Sequence, residues 1–231
     1  MYLVSLIALA VAPCLAIALY IYVRDKYERE SLRSLAKLFG LGVLATLPVG
    51  ILQAIVYRTG LAEGESFANI GTRAFFLAGT IEEGAKLSVF LLAIYRAPEF
   101  NEPFDGIVYA VMVSMGFATA ENILYVVEGG YEVGLLRMFT AVPAHATFGV
   151  VMGYFLGRSK FSPQRPLLML SGFLSAVTLH GTYDFFLMAG EYPFLAIGGL
   201  FSLIIGVVLS FNAMKESTKM SPFRILKQDE G

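Results

Sequence analysis

Seven apolar runs, each close to the thickness of a bilayer, leave this chain few folds to choose from. They cover residues 2–23, 38–57, 75–95, 106–127, 138–154, 167–188 and 194–211. A helix rising 1.5 Å per residue needs about 20 residues to cross about 30 Å of hydrocarbon. Lipid offers no hydrogen bonds, so a run of this length satisfies its backbone only as a helix. Composition agrees, with 57% of residues hydrophobic and 15% charged, well away from an ordinary soluble domain. The reading is an all-α, polytopic membrane helical bundle of about seven transmembrane helices in the cell membrane. It forms a single domain over residues 1–231, with 214–231 as a cytoplasmic tail. The first run continues past Cys14 to Val23 with no basic residue before it, so it reads as a retained span. Cys14 is the single cysteine, which excludes an internal disulfide framework and a multi-cysteine metal site. Internal repeats, which many transporters show, are not evident.

The basic residues set an orientation. Arg24, Lys26, Arg29, Arg33 and Lys37 follow the first run and Arg96 follows the third. Arg158, Lys160 and Arg165 follow the fifth, and Lys215, Lys219, Arg224 and Lys227 follow the seventh. Those thirteen face only Arg58, Arg73 and Arg137 in the even-numbered loops. Positive charge collects on the cytoplasmic side, which predicts the N-terminus outside and the C-terminus in the cytoplasm.

Ionisable residues inside the runs are the next constraint, because each costs about 2.5–3.5 kcal/mol near the bilayer centre. "TIEEGAKLSVF" carries Glu82, Glu83 and Lys86, and "FATAENILY" carries Glu121 and Asn122. "VPAHATFG" carries His145, and "LHGTYDFF" carries His180 and Asp184. With the orientation above, Glu82, Glu83, Glu121, His145 and His180 lie about 9–12 Å below the outer surface, with Asp184 one turn shallower, in one layer although four different runs supply them. Lys86 is one turn from both Glu82 and Glu83, His180 is one turn from Asp184, and Phe117 and Tyr125 flank Glu121. The expected arrangement is one shared polar site.

A carboxylate in a partly dry cavity suits a general base, and Glu82 is the residue expected to activate water. Glu83 pairs with Lys86 or assists, and Glu121 shares or relays the proton. Asn122 and His180 are placed to donate to an oxyanion. Asp184 orients His180, and His145 and Phe117 support. This reading needs no cofactor. A metal reading of the same residues uses Glu82, Glu121, His145, His180 and Asp184 around a divalent ion such as zinc, with Lys86 opposing a cation. Two non-hydrolytic readings stay open: a proton-coupled transporter using the buried Glu, His and Asp groups, and a scaffold that binds single-span partners. A net charge of −1 gives no argument for nucleic acid, and none is expected as a partner.

The motifs resemble those of the PrsW family of intramembrane proteases and, beyond it, the CAAX prenyl endopeptidases and the Abi group. The family's EExxK matches Glu82, Glu83 and Lys86; FxxxEN matches Phe117, Glu121 and Asn122; HxxxD matches His180 and Asp184. "RDKYERES" after the first run and "PFDGIVYA" at residues 103–110 also resemble family sequences. The resemblance implies an endopeptidase that cuts a single-span membrane protein near the extracytoplasmic face. An anti-sigma factor cut at its first site is the implied example. The CAAX enzymes carry histidine where this chain has Glu121, and their first motif is one residue longer and ends in arginine.

Overall fold

The computed structural model describes residues 2–190 and 193–226. They form α1 (Tyr2–Arg24), α2 (Leu32–Arg58), α3 (Phe67–Gly71), a π-helix (Thr72–Glu82) and α4 (Glu83–Ala93). There follow α5 (Pro103–Phe139), α6 (Ala141–Lys160), α7 (Arg165–Met188), a 3-10 turn (Pro193–Leu195), α8 (Ala196–Lys219) and α9 (Phe223–Leu226). No strand occurs among the described residues.

Local chemistry accounts for several boundaries. Ser31 and Ser66 cap α2 and α3, their side chains accepting from the backbone N–H groups of Ser34 and Asn69. Pro103 opens α5 at a position where its missing N–H costs nothing. Among the described helices, four stretches are long and apolar enough to cross a membrane: Tyr2–Arg24, Leu32–Arg58, Pro103–Lys160 and Ala196–Lys219. The third carries both α5 and α6, and the apolar run at 138–154 straddles their junction at Thr140. The runs at 75–95 and 167–188, expected among about seven spans, are not in this set. They hold Glu82, Glu83, Lys86, His180 and Asp184, and the first of them is divided between the π-helix and α4. Residues 214–219 of the expected tail continue α8, while its end, with Lys227, lies outside the described residues.

The bundle is built around α5. Every residue from Pro103 to Thr119 is buried, and α5 packs on α1, α2 and α6, while α6 packs in turn on α7 and α8. The outer helices turn Leu47, Ile51 and Ile55 of α2 and Phe201, Ile204 and Val208 of α8 outward. In water such a surface would aggregate; in lipid it is the solvated face. Without a hydrophobic drive between helices in lipid, close backbone packing has to hold the centre. The crossing of α5 and α6 shows it: a Cβ on Gly106 would lie 2.5 Å from the Gly153 carbonyl, and one on Gly153 would lie 2.7 Å from Ile107 Cα.

Gly153→Val therefore forces α5 and α6 apart at a cost of about 1–3 kcal/mol or more. Its thermal midpoint in detergent is expected to fall by several degrees. Gly40→Ala, where a Cβ meets nothing within 4 Å, is expected to leave the midpoint unchanged or raise it.

Candidate active site

The π-helix brings the first two glutamates into position. Its i→i+5 pattern is rare and favours functional sites; here Thr80 Oγ1 donates to the Phe75 carbonyl at 2.8 Å. It ends at Glu82, and α4 begins at Glu83, so two adjacent carboxylates face different surroundings. Glu82 lines a cavity of about 380 Å³ with Gln53, Arg73, Phe117, Glu121 and Asp184. A second cavity of about 310 Å³ is lined by Glu121, Arg137, His145, His180 and Asp184. Glu83 lines neither and is fully buried.

Buried inside, Glu83 organises the others. Lys86 Nζ donates to Glu83 Oε1 at 2.7 Å, and His180 Nδ1 lies 2.8 Å from the same oxygen. A carboxylate accepts, so His180 carries its proton on Nδ1 and presents Nε2 to Glu82 Oε2 at 4.0 Å and Asp184 Oδ2 at 3.4 Å. Lys86 Nζ also reaches His145 Nδ1 at 3.2 Å, which leaves His145 Nε2 to donate to Glu121 Oε2 at 2.7 Å. Lys86 further lies 3.9 Å from Glu82 Oε2 and 4.5 Å from the Phe117 ring centre. Phe148 stacks on His180 with ring centres 4.6 Å apart. Glu82 itself is held on one side only: Gln53 Nε2 donates to Oε1 at 3.1 Å, while Oε2 is buried without a hydrogen bond.

Glu82, Glu83, Lys86, Glu121, His145, His180, Asp184 and Phe117 thus meet at one place. Asn122 does not join them. Its Nδ2 donates to the Ala10 carbonyl at 2.9 Å and its Oδ1 accepts from Arg137 Nε at 2.7 Å, which ties α1 to α5, and it lines neither cavity. The residue expected to orient His180 is also different, since Glu83 approaches it more closely than Asp184 does. Arg73 donates to the Ala62 and Gly64 carbonyls at 3.2 and 2.9 Å.

Gln53 and Arg137 are the side chains at the candidate site that sequence reasoning missed. Gln53 had a signal, an amide inside the apolar run 38–57. Arg137 had less, because it sits one residue before a run and reads as a loop charge. A straight helix would separate Asn122 from Arg137 by about 22 Å. Gly130, with φ at 72°, turns α5 back, a conformation only glycine adopts freely. Arg137 then lies over Tyr125 at 4.1 Å from the ring centre and 3.4 Å from Glu121. Its Nη2 is buried without a hydrogen-bond partner.

For a metal, the ligand atoms of Glu82, His145 and His180 lie within 4.8 Å of one another, all buried. The free Glu82 Oε2 and the outward His180 Nε2, oriented by a carboxylate on its other nitrogen, fit a catalytic zinc site. His145 shares its Nδ1 with Lys86. Glu121 and Asp184 lie outside that closest triple.

Residues 30–214 match the family model described as PrsW family intramembrane metalloprotease. A protein named Protease PrsW from Geobacillus kaustophilus (strain HTA426) is 39% identical over 188 residues, covering 81% of each chain. Its namesake in Bacillus subtilis (strain 168) is 35% identical over 188 residues, 80% of this chain and 84% of that one. The one in Clostridioides difficile (strain 630) is 32% identical over 200 residues, 84% of this chain and 83% of that one. No solved structure matches significantly.

The hub around Glu83 makes a stability prediction. Lys86→Met strands a buried carboxylate and is expected to cost about 3–5 kcal/mol. The double variant Glu83→Gln/Lys86→Met is expected to unfold at a higher temperature than Lys86→Met alone, measured by thermal unfolding in detergent. Additive losses would show that the two residues do not act as a pair.

Proposed function

The chain belongs to the PrsW family of intramembrane proteases, a multi-pass membrane enzyme, and from that premise we propose the reaction, the residues that perform it and the side of the membrane they work from. The reaction is hydrolysis of a peptide bond in a single-span membrane protein, near the extracytoplasmic face, with Glu82 as the base that activates water. The observation that carries this reading is Glu82 Oε2. Glu82 lines a cavity of about 380 Å³, and this oxygen makes no hydrogen bond, with His180 Nε2 and Lys86 Nζ at 4.0 and 3.9 Å.

Each neighbour has a part. Gln53 fixes the carboxylate by its other oxygen, and Lys86 supplies the counter-charge. Glu82 takes a proton from the attacking water and returns it to the leaving amine. His180 is pinned by Glu83 and offers Nε2 to the same space, where it holds the water and helps move the proton. Arg137, which lines the second cavity and whose buried Nη2 makes no hydrogen bond, stabilises the oxyanion in the place first assigned to Asn122. Glu121 holds His145 and Arg137 at their stations.

Glu82 and His180 are the residues that would hold a metal; His145, whose Nδ1 accepts from Lys86 and whose Nε2 donates to Glu121, would join them only by giving up one of those hydrogen bonds. A zinc-class ion bound there supplies Lewis acidity to water. Seven crossings with the N-terminus outside put the site in the outer half of the membrane; the support is the basic-residue asymmetry of the loops. The same position suits first-site cleavage of an anti-sigma factor. Kinship with the CAAX prenyl endopeptidases and the Abi group belongs to this proposal too, supported by the order of the motifs.

Glu82→Gln is expected to abolish cleavage of a bitopic substrate by the purified protein while its thermal midpoint stays close to that of the wild type. Turnover by that variant would remove the assigned base. Chelator in a parallel reaction separates the two forms of the mechanism: loss of turnover with recovery on added zinc identifies the metal, and full turnover identifies Glu82 alone. Arg137→Leu is expected to lower kcat about 100- to 1,000-fold with little change in KM.

A further inference from the structure

A second group of buried carboxylates lies far from the active site, in the two stretches of sequence that the proteolytic chemistry leaves unused. Asp25 and Glu30 come from "RDKYERES", between α1 and α2; Glu102 and Asp105 come from the start of α5. Asp105 precedes Glu121 by sixteen residues, about 24 Å along the helix. All four are buried, with Asp25 and Glu102 each 1% exposed and Asp105 completely enclosed.

The α5 N-terminus explains only a part of this. Asp105 Oδ2 accepts from the backbone N–H groups of Asn101 and Glu102 at 2.8 and 2.9 Å, the capping expected of an aspartate in a first turn. Glu30 accepts from the Tyr109 hydroxyl. Left over are both oxygens of Asp25, both of Glu102, Oδ1 of Asp105 and the amide Oδ1 of Asn101, all buried without a hydrogen bond. Among the described residues, no ion pair involves any of the four carboxylates. Burial, reinforced by Glu102 and Asp105 nearby, pushes the Asp25 carboxyl up to about 8, a measure of how little the protein itself neutralises this set. Buried carboxylates are ordinarily paired or bound to a metal.

We propose that Asp25, Glu102 and Asp105, with the Asn101 amide oxygen, form a binding site for a hard divalent cation, calcium or magnesium, that clamps the first loop to the head of α5. Oxygen atoms of the three carboxylates lie within 4.8 Å of one another. The donors are oxygens throughout, without histidine or cysteine, which selects calcium or magnesium over zinc. Asp105 has the form of a ligand oriented from behind, one oxygen fixed by backbone amides and the other free. This inference stands independently of the catalytic reading.

The chain contains no tryptophan, and Tyr109 is hydrogen-bonded to Glu30 at the edge of the cluster, so terbium is a suitable probe. Purified full-length protein in detergent is expected to give tyrosine-sensitised terbium emission that saturates and is displaced by calcium or magnesium. The ion that competes at the lower concentration is the one the site selects. Asp25→Asn and Glu102→Gln are each expected to weaken terbium binding about tenfold or more, whereas Glu82→Gln leaves it unchanged. Emission that does not saturate, or that survives both loop substitutions and is lost in Glu82→Gln, overturns the site. Should the loop variants fail to fold, the wild type decides. A thermal midpoint that rises with millimolar calcium or magnesium supports the site, and one indifferent to both overturns it.

Discussion

The fully buried contact between Lys86 and Glu83 holds the candidate active site together. Lipid and protein interior both penalise an isolated charge severely, and a pair survives there only when its remaining valences are filled. Here they are filled by two imidazoles. Glu83 accepts from the Nδ1–H of His180, and Lys86 donates to the Nδ1 of His145. A single ion pair on α4 therefore sets the tautomers of two histidines on α6 and α7, and through His145 it reaches Glu121 on α5. Glu82, one residue before this pair, is left outside it and stays available for chemistry. Adjacent glutamates can differ so sharply because successive residues on a helix point about 100° apart, and here the backbone also passes from π to α geometry between them.

Much of this was legible in the sequence. Long apolar runs announced helices, and the grouping of Glu82, Glu83, Lys86, Glu121, His145, His180 and Asp184 followed from the cost of ionisable groups in lipid together with alternating helix direction. What the sequence hid is equally physical. Depth along a helix does not say which way a side chain faces, so Asn122, at the right level, turned out to brace α1. The π-helix has no signature in composition or periodicity, and with it went the division of labour between Glu82 and Glu83. Arg137 was hidden by a backbone reversal at a single glycine, something no count of loop charges reveals. The apolarity that identified α1, α2, α5, α6 and α8 is weakest where the chemistry is densest, which is why the 75–95 and 167–188 runs stand outside the helices apolar enough to cross on composition alone.

α5 joins the two acidic centres of the molecule. Its first turn carries Glu102 and Asp105 and its middle carries Glu121, with an uninterrupted buried stretch between them. Packing at the Gly106–Gly153 crossing leaves little room for that column to shift against α6. The α1–α2 loop at one end and the catalytic groups at the other are therefore referenced to the same rigid rod, and the placement of Glu121 depends on how firmly the head of α5 is seated.

The bend at Gly130 couples Glu121 to Arg137 through the backbone as well as through their ion pair. The wall bearing Glu121 and the segment bearing Arg137, which covers it, are one continuous stretch of polypeptide and cannot separate by sliding of neighbouring helices. Widening the gap between them requires torsion about the bonds of one residue. Any change in the Glu121–Arg137 separation that keeps both helical segments intact is thus concentrated in a single pair of dihedral angles.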